Sequence, residues 1–177
     1  MSLHKITLVS LGYFDRKMLE QVAKAVQLQY GVEVSLREEH VDINKYFDAG
    51  RKQYNGNLLL RDIDQHYASD AHKTIGLLSV DLFIPILTYI FGQAYLNGRA
   101  GIASFYRLSN ERYGLESDKE LLTNRFSKEV IHELGHSYRL IHCLTHRCVM
   151  QSSTYVEDID QKLPSLCHDC KKTLGLA

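Results

Sequence analysis

The sequence Lys5-Ile6-Thr7-Leu8-Val9-Ser10-Leu11 is apolar and β-branched enough to form a buried strand. In the segment that follows, residues 15–30, apolar positions recur at the spacing of an amphipathic helix, with Asp15 at the N-cap and Gly31 as the stop. Residues 32–36, Val-Glu-Val-Ser-Leu, then alternate as a strand does. A strand, a helix and a second strand in this order predict a βαβ unit with parallel strands.

The rest of the chain continues this alternation of helices and strands. In chain order, the sequence predicts a loop or short helix over 40–56, a helix over 58–67, a strand over 73–83, an edge strand over 88–95, and a strand over 100–108 that closes the sheet. Ser117 and Glu120 form a capping box that begins a long helix over 118–140, and the tail 143–177 is loop-rich. These patterns predict an α/β fold, a single compact domain over 1–177 with a mixed, mostly parallel, twisted sheet.

The composition is that of a globular protein with balanced charge. Of the 177 residues 45% are apolar and 24% are charged, and the 21 Lys and Arg residues equal the 21 Asp and Glu residues in number. A nucleic-acid partner, which needs a basic surface, is therefore not expected. The longest apolar run, residues 82–90, contains Pro85 and Thr88 and is too short to span a membrane. Residues 1–11 lack the apolar core and cleavage site of a signal peptide, so the predicted location is the cytoplasm.

The predicted long helix contains an H-E-x-x-H sequence, His132-Glu133-Leu134-Gly135-His136. Residues four apart lie about 40° apart around a helix, so both imidazoles project to one side and can share a metal ion. Glu133 can then accept a proton from the attacking water. The apolar side of the helix is centred about 120° away from the two histidines and consists of Leu122, Phe126, Val130 and Leu134. The histidines are therefore expected to face a site, although a chance occurrence of the pentapeptide is the alternative.

A third histidine, His142, follows His136 by six residues. If the helix continued, His142 would lie about 120° away from His136, so the helix must end and the chain must turn before His142 can join the same metal ion. Three histidine ligands leave the fourth position of a zinc ion for water, which is typical of a catalytic site. A third ligand from a remote glutamate is the alternative.

The four cysteines lie close to the C-terminus in two short pairs, Cys143 with Cys148 and Cys167 with Cys170. In a reducing compartment such pairs indicate a tetrahedral zinc site, and four thiolates leave no room for water. Zinc would then stabilise a tail that has few apolar residues. The alternatives are unpaired thiols, a redox Cys-x-x-Cys pair, or a site in which a nearby histidine, His146 or His168, replaces one thiol.

The complete pattern is His132-Glu133-x2-His136-x5-His142-Cys143-x4-Cys148-x-Met150-x16-Cys167-x2-Cys170. It resembles the signature of the archaemetzincins, a metzincin-like family of zinc metalloproteases. The resemblance implies a metzincin-like domain with an N-terminal part, about 1–142, and a zinc-binding C-terminal part, about 143–177. It implies two zinc ions: a catalytic one on the three histidines, with Glu133 as general base, and a structural one on the four cysteines. It also implies that Met150 forms the Met-turn, a methionine packed beneath the catalytic zinc.

One position departs from the family pattern. Arg139 stands where the family has a glycine, three residues after the second histidine, at the point where the helix ends. Either Arg139 adopts left-handed backbone angles, at a cost on the order of 1 kcal/mol, or the turn is made at another residue. The neighbouring Tyr138 could assist an oxyanion, but a packing role is the preferred interpretation.

Two functional hypotheses follow from these residues. The first is a monomeric, cytoplasmic zinc metallopeptidase that cleaves peptides or unfolded protein segments, with the strand over 88–95 pairing with an extended substrate. The second is a zinc-stabilised binding or regulatory protein whose peptidase site is occluded or inactive, because Arg139 is a long basic side chain close to the metal. Neither hypothesis includes a nucleic acid or a membrane as partner.

Overall fold

The computed structural model describes residues 4–177. Residues 1–3 lie outside the described residues, and they are part of the segment 1–11 on which the signal-peptide prediction was made. The strands are β1 (Lys5–Leu11), β2 (Val34–Glu39), β3 (Phe47–Asp48), β4 (Gln53–Asn55), β5 (His72–Leu78), β6 (Leu82–Ile84), β7 (Leu87–Ile90), β8 (Gly92–Ala94) and β9 (Ala100–Ser104). The α-helices are α1 (Arg16–Tyr30), α2 (Gly56–His66), α3 (Lys119–Ser137), α4 (Val156–Gln161) and α5 (His168–Leu174).

Five strands form the main sheet, in the order β2-β1-β5-β9-β8. β1 pairs in parallel with β2 on one side and with β5 on the other, and β5 pairs in parallel with β9. β8 is the exception, because it folds back antiparallel on β9 and forms the edge of the sheet. The remaining strands form a second sheet in the order β3-β4-β6-β7, in which only β4 and β6 are parallel.

Helices cover both faces of the main sheet. Ile6 and Leu8 of β1 belong to a core shared with α1 and α3, whereas Val9 and Leu11 belong to a second core shared with α2. This division follows from the alternation of side chains along a strand, which sends residues of opposite parity to opposite faces. The result is a layered α/β domain in which α3 lies directly on the main sheet.

The predicted βαβ unit is confirmed. The Asp15 carboxylate accepts a hydrogen bond from the Met18 amide at 3.1 Å, and Gly31 ends α1 with a φ of 66°. The helix predicted over 58–67 is also confirmed as α2, which begins two residues earlier behind Asn55 as its N-cap. The apolar side predicted for the long helix is correct for Phe126, Val130 and Leu134, which are fully buried.

Three strand predictions were wrong in their extent. The edge strand predicted over 88–95 is divided at Phe91 into β7 and β8, which belong to different sheets. The segment 73–83 is not one strand, because β5 ends at Leu78 and the chain passes to the second sheet as β6. At that crossing Asp81 turns inward and accepts two hydrogen bonds from Arg107, at 2.6 and 2.7 Å. The segment 100–108 does not close the sheet, because β9 ends at Ser104 and lies between β5 and β8.

The boundaries of the long helix were also predicted incorrectly. Its N-cap is Asp118 and not Ser117, because the Asp118 carboxylate accepts a hydrogen bond from the Leu121 amide at 2.9 Å. The helix ends at Ser137 and does not reach 140. Behind it, the tail is mostly loop with the two short helices α4 and α5, as predicted. No helix formed by residues 4–177 combines the length and the apolar character that crossing a membrane requires.

Candidate active site and zinc centres

Helix α3 presents His132 and His136 on a different side from Phe126, Val130 and Leu134. Each imidazole is held through Nδ1 by a backbone carbonyl: His132 by Val149 O at 2.8 Å, and His136 by Leu140 O at 2.8 Å. This leaves Nε2 as the free nitrogen of both rings, and the two Nε2 atoms lie 3.1 Å apart. Nitrogen ligands about 2.0–2.1 Å from one tetrahedral zinc ion lie about 3.3 Å apart, so the pair fits zinc.

The third histidine joins the pair. The His142 ring centroid lies 5.3 Å from that of His132 and 5.0 Å from that of His136. One ring nitrogen of each of the three residues lies within 4.8 Å of the others. Burial lowers the pKa of all three imidazoles, most strongly that of His132, which favours the neutral form that binds a metal.

The chain reaches His142 through a sharp turn at the end of α3. Arg139 has a φ of 70°, so it adopts the left-handed conformation expected of the family's glycine. The Arg139 amide donates to His136 O at 2.9 Å and the Leu140 amide donates to Gly135 O at 2.8 Å, the hydrogen-bond pair of a Schellman motif. The same turn directs Leu140 O toward His136 Nδ1, so it orients one histidine and leads to the next.

We expect Arg139→Gly to stabilise the protein. A glycine adopts the left-handed conformation without the Cβ penalty, so the free energy of unfolding should rise by about 0.5–1 kcal/mol. Chemical denaturation of the wild type and of Arg139→Gly and Arg139→Ala variants measures this effect. Alanine keeps the Cβ, so an equal gain in both variants would show that the side chain and not the backbone is responsible.

Arg139 does not fill the space beside the histidines. Its guanidinium is exposed and donates to Thr173 O on α5 at 3.4 Å. The histidines instead open into a cleft of about 780 Å³, one wall of which is the continuous segment 87–94 and the other the segment 152–155. The observation that motivated the occluded-site hypothesis, a basic side chain over the metal, is therefore not found.

Glu133 lies at the base of this cleft and is 4% exposed. Burial raises the pKa of its carboxyl group well above the ordinary value, and the neighbouring carboxyl group of Glu129 raises it further. Glu129 precedes Glu133 by one helical turn and also lines the cleft. Lys162, at the end of α4, is 4% exposed and completes this buried cluster of charged groups.

Gly92 allows the edge strand β8 to pass close to Glu133. A Cβ added at this position would lie 2.8 Å from Glu133 Cγ, 2.9 Å from Glu133 Oε1 and 2.7 Å from Ile102 O. We therefore expect Gly92→Ala to displace β8 or the Glu133 carboxylate, lowering any catalytic activity that depends on this carboxylate and costing about 1–3 kcal/mol of stability. Steady-state kinetics with thermal unfolding measures both effects, and a variant with wild-type values for both would contradict the close packing.

Met150 is fully buried and packs against Gly135 of α3. Its sulfur is so close to Gly135 that a Cβ added there would lie 2.3 Å away from it. The Met150 carbonyl accepts a hydrogen bond from the Cys143 amide at 2.9 Å, so the methionine also fixes the residue next to His142.

The four cysteines form a second cluster on the other side of His142. Their sulfur atoms lie within 4.8 Å of one another, with Cys143 Sγ 3.7 Å from Cys167 Sγ and Cys148 Sγ 3.9 Å from Cys170 Sγ. These distances are too long for disulfides but match the separation of about 3.8 Å between thiolates on one tetrahedral zinc ion. Neither His146 nor His168 belongs to the cluster within residues 4–177.

The comparison with known families agrees with this geometry. The model of peptidase family M54 matches residues 16–175. The chain belongs to peptidase family M54. The resemblance to the archaemetzincins that the sequence predicted is thereby confirmed, and this M54 peptidase is a zinc metallopeptidase.

Relatives of this M54 peptidase match it over nearly their whole length. The archaemetzincin of Thermococcus kodakarensis is 36% identical over 176 residues, covering 96% of this chain and 94% of its own. That of Halobacterium salinarum is 32% identical over 173 residues, covering 96% and 99%.

Solved structures share the fold. The crystal structure of archaemetzincin from Methanopyrus kandleri has a TM-score of 0.84 at 31% identity and covers 98% of this chain and 94% of that one. The archaemetzincin of Archaeoglobus fulgidus, crystallised with malonate, has a TM-score of 0.80 at 30% identity and covers 96% of this chain and 99% of that one.

The structure also shows what the sequence did not predict. Tyr138 packs on Tyr30 and donates to His4 O at 2.6 Å, which agrees with the preferred packing role. Glu129, Lys162 and Gly92 were missed. Glu129 could have been predicted, because it lies four residues before Glu133 and therefore on the same side of α3. No local pattern in the sequence marks Lys162 or Gly92.

Proposed function

We propose that this M54 peptidase hydrolyses peptide bonds at a zinc ion held by His132, His136 and His142, with Glu133 as the general base. The observation that supports this most strongly is the convergence of three histidines, two of them with Nδ1 bonded to backbone, beside a buried carboxylate in an open cleft. Bound zinc would polarise the substrate carbonyl and make the attacking water more acidic.

Glu133 performs the proton transfers in this proposal. Its carboxylate accepts a proton from the attacking water as the oxygen bonds to the scissile carbonyl carbon. It then gives that proton to the leaving nitrogen as the carbon–nitrogen bond breaks, which restores the carboxylate. The buried position of Glu133 excludes bulk water from this transfer.

An extended peptide is the substrate that the cleft fits. β7 and β8 are each at the edge of a sheet, and together they line one wall of the cleft. An edge strand offers unpaired backbone groups that can pair with an added strand. We propose that peptides or unfolded protein segments bind here, with no nucleic acid or membrane involved, and that the enzyme acts as a monomer.

The C-terminal part supports the site in this proposal. A second zinc ion on Cys143, Cys148, Cys167 and Cys170 would hold the region from about 143 to 177 against the remainder of one domain, and Met150 would act as the Met-turn. Free thiols in this arrangement are typical of a reducing compartment, so we propose that the enzyme works in the cytoplasm.

Cleavage of a diverse peptide library tests the proposed activity. Mass spectrometry would compare the zinc-loaded protein, the protein stripped by a chelator, and the stripped protein after zinc is restored. We expect cuts in the first and third samples and none in the second. If no cuts appear although zinc is bound at both sites, the peptidase proposal is wrong and the second hypothesis, a binding or regulatory protein, is favoured.

A further inference from the structure

The cleft is lined by a buried lysine whose ammonium group forms no direct ion pair. Lys162 is 4% exposed and lines the cleft beside Glu129 and Glu133. Its ammonium group donates to Gln151 O, and none of the ion pairs formed within residues 4–177 includes it. An ammonium group carries three N–H donors, and a buried charge that lacks a partner is costly.

The nearby carboxyl groups of Glu129 and Glu133 offset part of this cost. The two glutamates lie one helical turn apart on the same side of α3. A polar atom without a hydrogen-bond partner is the buried Oγ of Ser153, whose residue also lines the cleft. The lining of the cleft therefore includes a cation with spare N–H donors and a buried hydroxyl group.

The position of these donors along a bound substrate follows from the role of Glu133. Glu133 gives its proton to the leaving nitrogen, so the residue that supplies this nitrogen must lie next to Glu133. Glu129 lies one helical turn away on the same side of α3, and Lys162 lies beside both. Lys162 therefore lines the part of the cleft in which the residue after the scissile bond would bind.

We propose that Lys162, assisted by Ser153, selects substrates that carry a carboxylate on the residue immediately after the scissile bond. The inference rests on the proposed peptidase function and specifies its substrate class. The carboxylate is either the side chain of an internal Asp or Glu, or the free C-terminal carboxylate of a substrate that ends at that residue. A carboxylate supplies charged acceptors for the unused N–H donors of Lys162.

Matched peptides test this preference. Pairs differ only in the residue after the scissile bond, Glu against Gln and Asp against Asn, and a second set ends at that residue as either a free acid or an amide. The wild type should cleave the carboxylate member of one set with a kcat/KM about tenfold higher or more. The set that shows the effect identifies the source of the carboxylate, and equal rates in both sets would overturn the proposal.

Variants of Lys162 test whether this residue causes the preference for carboxylate peptides. In Lys162→Met the ratio between acid and amide peptides should fall to about one, whereas Lys162→Arg should keep most of it because the charge remains. Lys73→Met is the matched control, since Lys73 is also buried, also donates to a single carbonyl, Gly98 O, and lies outside the cleft. The ratio should be unchanged in this control, and an equal loss in Lys73→Met and Lys162→Met would overturn the proposal.

Binding separates failure of the inference from failure of the proposed function. The same peptides are titrated into zinc-loaded Glu133→Ala protein, with calorimetry as the readout, so no cleavage is needed. A Kd about tenfold lower for the carboxylate member, lost when Lys162→Met is added, supports the subsite even if the wild type proves inactive. Equal Kd values for both members overturn it even if the wild type cleaves peptides well.

Discussion

Glu133→Ala is expected to retain its zinc and to lose peptidase activity by about 10²–10⁴-fold in kcat/KM, the range that general acid–base catalysis supplies. The zinc should stay because the histidine nitrogens, held by the carbonyls of Val149 and Leu140, do not depend on the carboxylate. Activity should fall because Glu133 directly follows His132 and lines the cleft, whereas the other carboxyl group there, Glu129, lies one helical turn farther from His136. Metal analysis and steady-state kinetics on the same samples measure both quantities.

A control from the same helix makes this result specific. Glu120→Ala removes an exposed carboxylate from the first turn of α3, so it changes the charge of the helix without touching the cleft. Wild-type kinetics are expected for this control. If Glu133→Ala retained wild-type activity with zinc bound, the assignment of the general base would be wrong.

Cys148→Ser is expected to lose one zinc ion and to destabilise the protein by about 3 kcal/mol or more, because the binding free energy of a structural zinc is also folding free energy. For a chain of this length the melting temperature should then fall by about 6–12 °C. Cys148 is buried, and its sulfur accepts hydrogen bonds from the Met150 and Cys167 amides. Its replacement therefore disturbs the backbone at both of these residues. Differential scanning calorimetry and zinc analysis measure the two effects.

The same substitution should also weaken the proposed catalytic centre. Cys143 follows His142 directly, and its amide donates to Met150 O at 2.9 Å. When the cysteine cluster opens, the loop that carries His142 loses its support, so kcat/KM should fall although no catalytic group is changed. His146→Ala and His168→Ala are the controls, and each should keep both zinc ions. Loss of one zinc in either control would mean that a histidine replaces a thiol.

The elements with strong local patterns were predicted well from the sequence. β1 and α1 combine a regular apolar period with a polar N-cap and a glycine stop, so local chemistry decides where they begin and end. The segment 73–83 was misread because both of its strands are apolar. What divides them is the pair of Asp81 with Arg107, a contact between residues far apart in the sequence.

The same distinction applies to the active site. His132 and His136 lie four residues apart on one helix, so their common direction could be predicted from spacing alone. The left-handed turn at Arg139 was one of two predicted possibilities, and the structure shows that the residue adopts it. Lys162 reaches the cleft only because α4 packs against α3, and Gly92 matters only because β8 passes Glu133. Neither relation leaves a periodic signal in the sequence.

Anomalous diffraction at the zinc edge, from crystals of the zinc-loaded protein, tests the central claim most directly. We expect two peaks per chain: one about 2.0–2.1 Å from nitrogen atoms of His132, His136 and His142, with a further position open toward the cleft, and one about 2.3 Å from the four cysteine sulfur atoms. A single peak at the cysteines, or a histidine-bound zinc whose remaining position is closed by a protein side chain, would contradict the account of this cleft as a catalytic zinc centre.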